Sequence, residues 1–149
     1  MPSNAVYPII EKRLSRLGWN KRVLGADDFD LFCHDEGIFV FEGQYKWDGL
    51  YIVRSGIPVI YIQQSLRPIE RLIVGWHEVG HHILHAPEFF FYSYGRVSKA
   101  DYQAHICAAC ALIPQPLYLK RSAYDIQEEY GYPSDLLRFR ARLFETLGV

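Results

Sequence analysis

The chain has 149 residues, of which 50% are hydrophobic and 15% aromatic, so it can bury a core of its own and is expected to form one domain over residues 1–149. Its formal net charge of −1 argues against a dedicated nucleic-acid-binding protein, which usually carries a basic face. No secretory signal or membrane-spanning run is recognisable, and three cysteines are an odd count; we therefore expect a cytoplasmic protein without a disulfide framework.

The first half of the chain is predicted to contain two helices followed by strands. The helices are expected at residues 6–17 and 27–36, a short strand at 38–41, and a hairpin formed by Gly49–Arg54 and Ile57–Gln63 around Ser55-Gly56. Pro58 predicts an edge position or a strand end for the second hairpin strand. An open edge of this hairpin would be suited to binding an extended peptide by β-augmentation.

The second half is predicted to be mainly helical, which makes the fold class α+β, a mostly helical domain with a short sheet beside its central helix. Helices are expected at residues 65–85, 98–113, 122–130 and 134–147, with an aromatic loop at 86–97. Ser65 and Ser98 are the expected N-caps of the first two. Pro114 and Pro116 are expected to end the second, since proline stops a helix interior.

The most specific pattern in the chain is His77-Glu78-Val79-Gly80-His81, an H-E-x-x-H motif on a strongly periodic helix. Residues four apart share one helix face, so both histidines can contact one ion and supply half of a tetrahedral zinc site. Glu78 is then placed to take a proton from a water on the metal. The alternative is a chance match among surface histidines, but four of the six histidines lie between positions 77 and 85, which favours a metal site.

A catalytic zinc needs a third protein ligand, most economically from an antiparallel helix downstream. In one assignment Asp101 binds the metal and His105, on the same face, supports it; in the other His105 binds and Asp101 orients it. A third interpretation is that Asp101 only caps its helix. The small side formed by Ala104 and the alanines after it would allow the close packing that a short aspartate requires, and we therefore favour Asp101.

Several other side chains near the motif have candidate roles. The oxyanion of the tetrahedral intermediate could be held by Tyr102, His105, His85 or Tyr94, and the sequence does not choose among them. His82 follows the second ligand and is expected to turn away from the metal. The pair Cys107 and Cys110 has the C-x-x-C spacing, but without a second pair a small apolar packing role is favoured.

These residues resemble the ImmA/IrrE family of zinc metallopeptidases. The similarity rests on the H-E-x-x-H motif, on Asp101-Tyr102-Gln103-Ala104-His105, and on Leu112-Ile113-Pro114. It implies a gluzincin-like, zincin-type fold, a Zn²⁺ ion held by His77, His81 and a downstream ligand, and Glu78 as the general base. It also implies a protein substrate, a helix-turn-helix transcriptional repressor, with no direct contact to nucleic acid or membrane.

The chain departs from that family at three positions. Asp101 stands where the family has Glu, His105 where it has Asn or Asp, and Cys107 where it has Phe. The departures at 101 and 105 fall in the third-ligand motif. They support the alternative function, a non-catalytic regulatory module that keeps the fold and binds a metal or a peptide.

Overall fold

The computed structural model describes residues 2–92 and 98–149. Its helices are α1 (Ser3–Leu14), α2 (Ala26–Asp35), α3 (Pro68–His85), α4 (Lys99–Leu112), α5 (Gln115–Lys120), α6 (Ala123–Tyr130) and α7 (Ser134–Leu147). Its strands are β1 (Phe39–Gly43), β2 (Gly49–Arg54), β3 (Ile57–Gln63) and β4 (Phe90–Tyr92). The α+β class predicted from the sequence is confirmed, with a small sheet beside the central helix.

The largest errors of the sequence prediction lie in segments rich in proline or aromatic residues. Residues 86–97 were expected to be a loop, but they contain β4. Ser65 does not cap α3, which has Arg67 as its N-cap and Pro68 in its first turn. Pro114 follows α4 and is also the N-cap of α5, a helix that was not predicted from the sequence. Proline disrupts a helix interior but is well suited to a helix start, so the same residues can end one helix and begin the next.

The four strands form one sheet in the order β1-β3-β2-β4. Strand β3 pairs in parallel with β1 and antiparallel with β2, while β4 pairs antiparallel with β2. Both hairpin strands are therefore internal, and the edge position considered for Pro58 is wrong. The strand-end interpretation is confirmed, because Pro58 precedes Val59, the first β3 residue in register with β1.

Helix α3 is central to the fold and packs against both the sheet and α4. All its residues from Ile73 to His81 are buried, and its neighbour α4 is buried from Gln103 to Leu112 except at His105. His81 contacts Asp101, whereas His77, one turn earlier on α3, contacts His105, one turn later on α4, so the two helices run in opposite directions as expected. No helix within residues 2–92 and 98–149 is long and apolar enough to cross a membrane.

Candidate metal centre

The two motif histidines lie one turn apart on the buried face of α3. His77 is 1% and His81 0% exposed, and their ring centroids are 4.8 Å apart. Burial lowers the pKa of His77 to about 3 and also lowers the pKa of His81, because an apolar surrounding disfavours the charged imidazolium. Both imidazoles are therefore neutral at pH 7, the form that binds metal ions.

Asp101, in the first turn of α4, faces both histidines with one carboxylate oxygen. Its Oδ1 lies 3.2 Å from His77 Nε2 and 3.0 Å from His81 Nε2. Its Oδ2 accepts a hydrogen bond of 2.9 Å from Ser98 Oγ, while Ser98 Oγ accepts one from the Asp101 amide. The N-cap predicted at Ser98 is thus confirmed as part of a capping box, which leaves the other oxygen of the Asp101 carboxylate facing α3.

Glu78 lies beside the histidines in a buried pocket. Its carboxylate is 0% exposed, and neither oxygen has a hydrogen-bond partner among the described residues. Burial raises the pKa of Glu78 well above its usual value, and the nearby Asp101 carboxylate raises it further. Gly49 at the start of β2 makes room for it, since a Cβ there would lie 3.0 Å from Glu78 Oε1 and 2.5 Å from a Val74 methyl.

His105 contacts His77 on the side away from Asp101. The two Nδ1 atoms are 3.3 Å apart, whereas the Nε2 of His77 faces Asp101. Burial lowers the pKa of His105 to about 4, and its ring packs edge-on against Phe139. His105 also lines a cavity of about 340 Å³ together with Tyr92.

The other two histidines of α3 face in different directions. The Nδ1 of His85 is 2.9 Å from the Nδ1 of His81, and its Nε2 is 2.9 Å from Gln103 Oε1. His82 instead contacts Tyr51 Oη at 2.8 Å and Glu36 Oε1 at 3.1 Å. The prediction that His82 turns away from the motif histidines is therefore confirmed.

Strand β4 lies directly over the motif histidines. The ring of Phe90 stacks on His81 and that of Tyr92 on His77, both with centroid distances of 4.2 Å and nearly parallel planes. Side chains two apart on a strand point to the same face, which explains why these two residues cover two imidazoles one helical turn apart. The stacking limits rotation of both rings.

The sequence profile of the IrrE N-terminal-like domain, a peptidase family, matches residues 33–142. The chain belongs to this family. The matched segment contains α3, α4 and the whole sheet, and the resemblance stated from the two helical motifs is confirmed. No curated protein matches the chain at the threshold applied.

Membership of the IrrE N-terminal-like family gives the chain a metallopeptidase-type function, and the residues present fit a metal ion. His77, Glu78 and His81 each have a donor atom within 4.8 Å of the others. The separations of 3.0 and 3.2 Å between the histidine nitrogens and Asp101 Oδ1 are near the roughly 3.3 Å expected between ligands of a tetrahedral zinc. The partnerless carboxylate of Glu78 is the kind of buried group that a bound cation would neutralise.

The remaining predicted residues of this IrrE N-terminal-like domain lie around the site. The ring of Tyr102 packs against Phe139 at 5.2 Å, and its oxyanion role stays a prediction. Tyr94 lies outside the described residues. Cys107 and Cys110 are buried free thiols in α4, in agreement with a packing role.

Sequence reasoning missed the residues that surround the two metal-site histidines. Gln103 lies two residues beyond Asp101 but was given no role of its own. Phe90 and Tyr92 were assigned to a loop, although their alternation in the aromatic run Phe89-Phe90-Phe91-Tyr92 is the spacing of a strand. No sequence signal marked Gly49, because only the tertiary fold brings it against Glu78.

Proposed function

We propose that the chain is a zinc-dependent endopeptidase in which His77, His81 and Asp101 hold the metal and Glu78 is the general base. The observation that carries this proposal is the convergence of three donor atoms beside a buried, partnerless carboxylate in a member of a peptidase family. A purely structural zinc site has four protein ligands and needs no such base.

Asp101, not His105, is the proposed third ligand. Its Oδ1 faces the Nε2 atoms of both motif histidines, whereas His105 lies against the Nδ1 of His77. When an imidazole directs its Nε2 to a metal, its Nδ1 lies on the far side of the ring. A residue in contact with that Nδ1 therefore cannot bind the same metal. His105 therefore supports His77 from behind, as the partners of metal-bound histidines commonly do.

The proposed reaction is hydrolysis of a peptide bond. Zinc, when bound, supplies Lewis-acid polarisation of the scissile carbonyl and acidifies a water molecule. Glu78 accepts the proton of the attacking water at its carboxylate and passes it to the leaving amine. Burial raises the pKa of Glu78 in the metal-free site, and a cation beside it would lower that pKa and keep the carboxylate ionised as a base.

The substrate side of the site is proposed to lie along β4 and the adjoining cavity. Strand β4 pairs with β2 through one edge. Its backbone runs alongside His77 and His81, so its other edge is suited to binding an extended peptide next to them. The cavity of about 340 Å³ lined by His105 and Tyr92 is large enough for a substrate side chain. Of the predicted oxyanion residues Tyr102 and His105, Tyr102 is the proposed one, because His105 lies against His77 on the side away from Asp101.

A cytoplasmic helix-turn-helix repressor is the proposed protein substrate. The support is the ImmA/IrrE resemblance of the two helical motifs, now extended by the family match over residues 33–142. A repressor encoded beside the gene of this chain is the first candidate to incubate with the zinc-loaded protein. Cleavage would be read by the masses of the two fragments.

Replacing Glu78 by Gln tests the proposed reaction. Zinc content should stay equal to that of the wild type, because Glu78 is not a ligand, while cleavage should fall by about 10²–10⁴-fold with loss of the general base. The measurements are metal analysis of the purified protein and the initial rate of repressor cleavage, with His34→Ala at an exposed position as the control. Cleavage by Glu78→Gln at the wild-type rate would show that Glu78 is not the general base, whereas a zinc-loaded wild type that cleaves no candidate repressor would favour the regulatory module.

A further inference from the structure

We propose that His85 and Gln103 are positioning residues that hold His81 in the tautomer protonated on Nδ1, so that its unprotonated Nε2 faces Asp101. This inference deepens the proposed function and rests on the zinc site described there. It concerns residues outside the H-E-x-x-H motif, one in the last turn of α3 and one on α4.

The contacts form a continuous chain between the two helices. Gln103 Oε1 is 2.9 Å from His85 Nε2, and His85 Nδ1 is 2.9 Å from His81 Nδ1. On its other side, His81 Nε2 is 3.0 Å from Asp101 Oδ1. Gln103 is buried with 4% exposure and His81 is fully buried, so water competes little for these groups.

The proton positions follow from the chemistry of the partners. An amide oxygen only accepts hydrogen bonds, so His85 Nε2 must donate to Gln103 Oε1. A neutral imidazole carries one N–H, which leaves His85 Nδ1 as an acceptor. The hydrogen between the two Nδ1 atoms therefore belongs to His81, and the Nε2 of His81 presents a lone pair.

The resulting arrangement suits a cation better than a hydrogen bond. The lone pair of His81 Nε2 and the carboxylate oxygen of Asp101 then face each other at 3.0 Å without a proton between them, and two such acceptors repel each other unless a cation lies between them. Metal-bound histidines usually donate their second N–H to a carboxylate or a carbonyl. In this chain His85, which donates to Gln103, accepts the N–H of His81 in place of a carboxylate or a carbonyl.

The tautomer can be measured directly in the wild-type protein. Long-range ¹H–¹⁵N correlation spectra of the full, histidine-labelled chain, recorded after removal of metal at pH 8, distinguish the two neutral forms of each imidazole. We expect His81 to carry its proton on Nδ1 and His85 on Nε2. The metal-free state is chosen because a bound ion would by itself require an unprotonated Nε2. A proton on Nε2 of His81 would overturn the proposal.

Paired substitutions give a second readout through zinc affinity, measured by competition with a chromophoric chelator. His85→Leu and Gln103→Met should each weaken zinc binding by about 10–100-fold. His85→Asn should retain near wild-type affinity, because the asparagine Oδ1 can accept from His81 Nδ1–H without a partner at 103. In the His85→Asn background, Gln103→Met should therefore have no further effect.

His82→Asn is the matched control, since His82 is on the same helix but contacts Tyr51 and Glu36. Its zinc affinity should equal that of the wild type, with folding of every variant checked by circular dichroism. Wild-type affinity in folded His85→Leu and Gln103→Met would overturn the positioning role while leaving the protease proposal intact. If Glu78→Gln still cleaves but His81 shows the expected tautomer, the proposed reaction fails and the positioning role stands.

Discussion

At Asp101 the two carboxylate oxygens face different partners. Oδ2 accepts from Ser98 at the N-terminus of α4, while Oδ1 faces His77 and His81. Burial raises the pKa of this carboxyl, but the two imidazoles beside it and the hydrogen bond from Ser98 outweigh burial and lower the pKa well below its ordinary value. The geometry allows this carboxylate both to cap α4 and to bind a metal ion, which the sequence analysis gave as alternatives.

Alanine substitutions at Asp101 and His105 separate the two ligand assignments. Asp101→Ala should lose zinc outright, because only two ligands remain on α3. His105→Ala should still bind zinc, with affinity lower by about 10–100-fold from the loss of a supporting partner of His77. Zinc occupancy after dialysis against a weak chelator measures both, with His34→Ala as the control. Full zinc loss in His105→Ala alone would assign the third ligand to His105.

Among the secondary-structure elements, the distance between α3 and α4 decides whether an aspartate on α4 can reach a metal ion bound by α3. Gly80 packs on the backbone of α4, where a Cβ would lie 2.5 Å from the Ala104 carbonyl oxygen and 2.8 Å from its Cα. Under the proposed ligand assignment, this close approach would allow Asp101, which is one methylene shorter than a glutamate, to reach a metal ion on α3. The small residues on both helices are thus part of the site as well as of the core.

Gly80→Ala should separate the two helices. Alanine improves helix propensity by about 1 kcal/mol, but overpacking against a backbone that cannot yield typically costs about 1–3 kcal/mol. We therefore expect net destabilisation in urea and weaker zinc binding, because α4 carries Asp101 away from α3. Gly25→Ala, where a Cβ meets nothing within 4 Å, is the control and should leave zinc affinity unchanged. Unchanged stability and zinc affinity in Gly80→Ala would contradict the close packing.

For the whole molecule, burial of several imidazoles makes stability depend on pH. The pKa values of His77 and His105 are lowered to about 3 and about 4 by burial, whereas an unfolded histidine titrates near roughly 6.5. Between those values these imidazoles bind more protons in the unfolded chain than in the folded one, and the raised pKa of the single carboxyl of Glu78 offsets only part of this difference. The contribution of these imidazoles is therefore fully present above about pH 6.5 and is lost as the pH falls.

Urea unfolding of the metal-free protein between pH 7 and pH 4.5 tests this dependence. The free energy of unfolding should decrease with falling pH, by at most about 1.4 kcal/mol per pH unit for each buried imidazole. His105→Gln removes one of these groups and should have a shallower slope. Equal slopes for His105→Gln and the wild type would show that the folded protein does not hold His105 neutral in this pH range.

Local patterns in the amino-acid sequence were enough to predict the helical motif, the α+β class and the family. These depend on patterns that are local in the chain: two histidines four apart, apolar periodicity, and a capping serine three residues before an aspartate. Such patterns act through neighbouring backbone and can be recognised without knowing the fold.

The groups that surround the motif depend on the folded arrangement of distant segments and could not be predicted from local patterns. Gln103 contacts His85, Gly49 makes room for Glu78, and Phe90 stacks on His81. The two members of each pair lie in different secondary-structure elements, at a spacing along the chain that differs from pair to pair. These contacts depend on how closely two helices and a short strand pack, which is set by the shapes of many side chains together. The pKa shifts of the site residues are caused mainly by burial. They therefore depend on the packing and could not be predicted from the sequence.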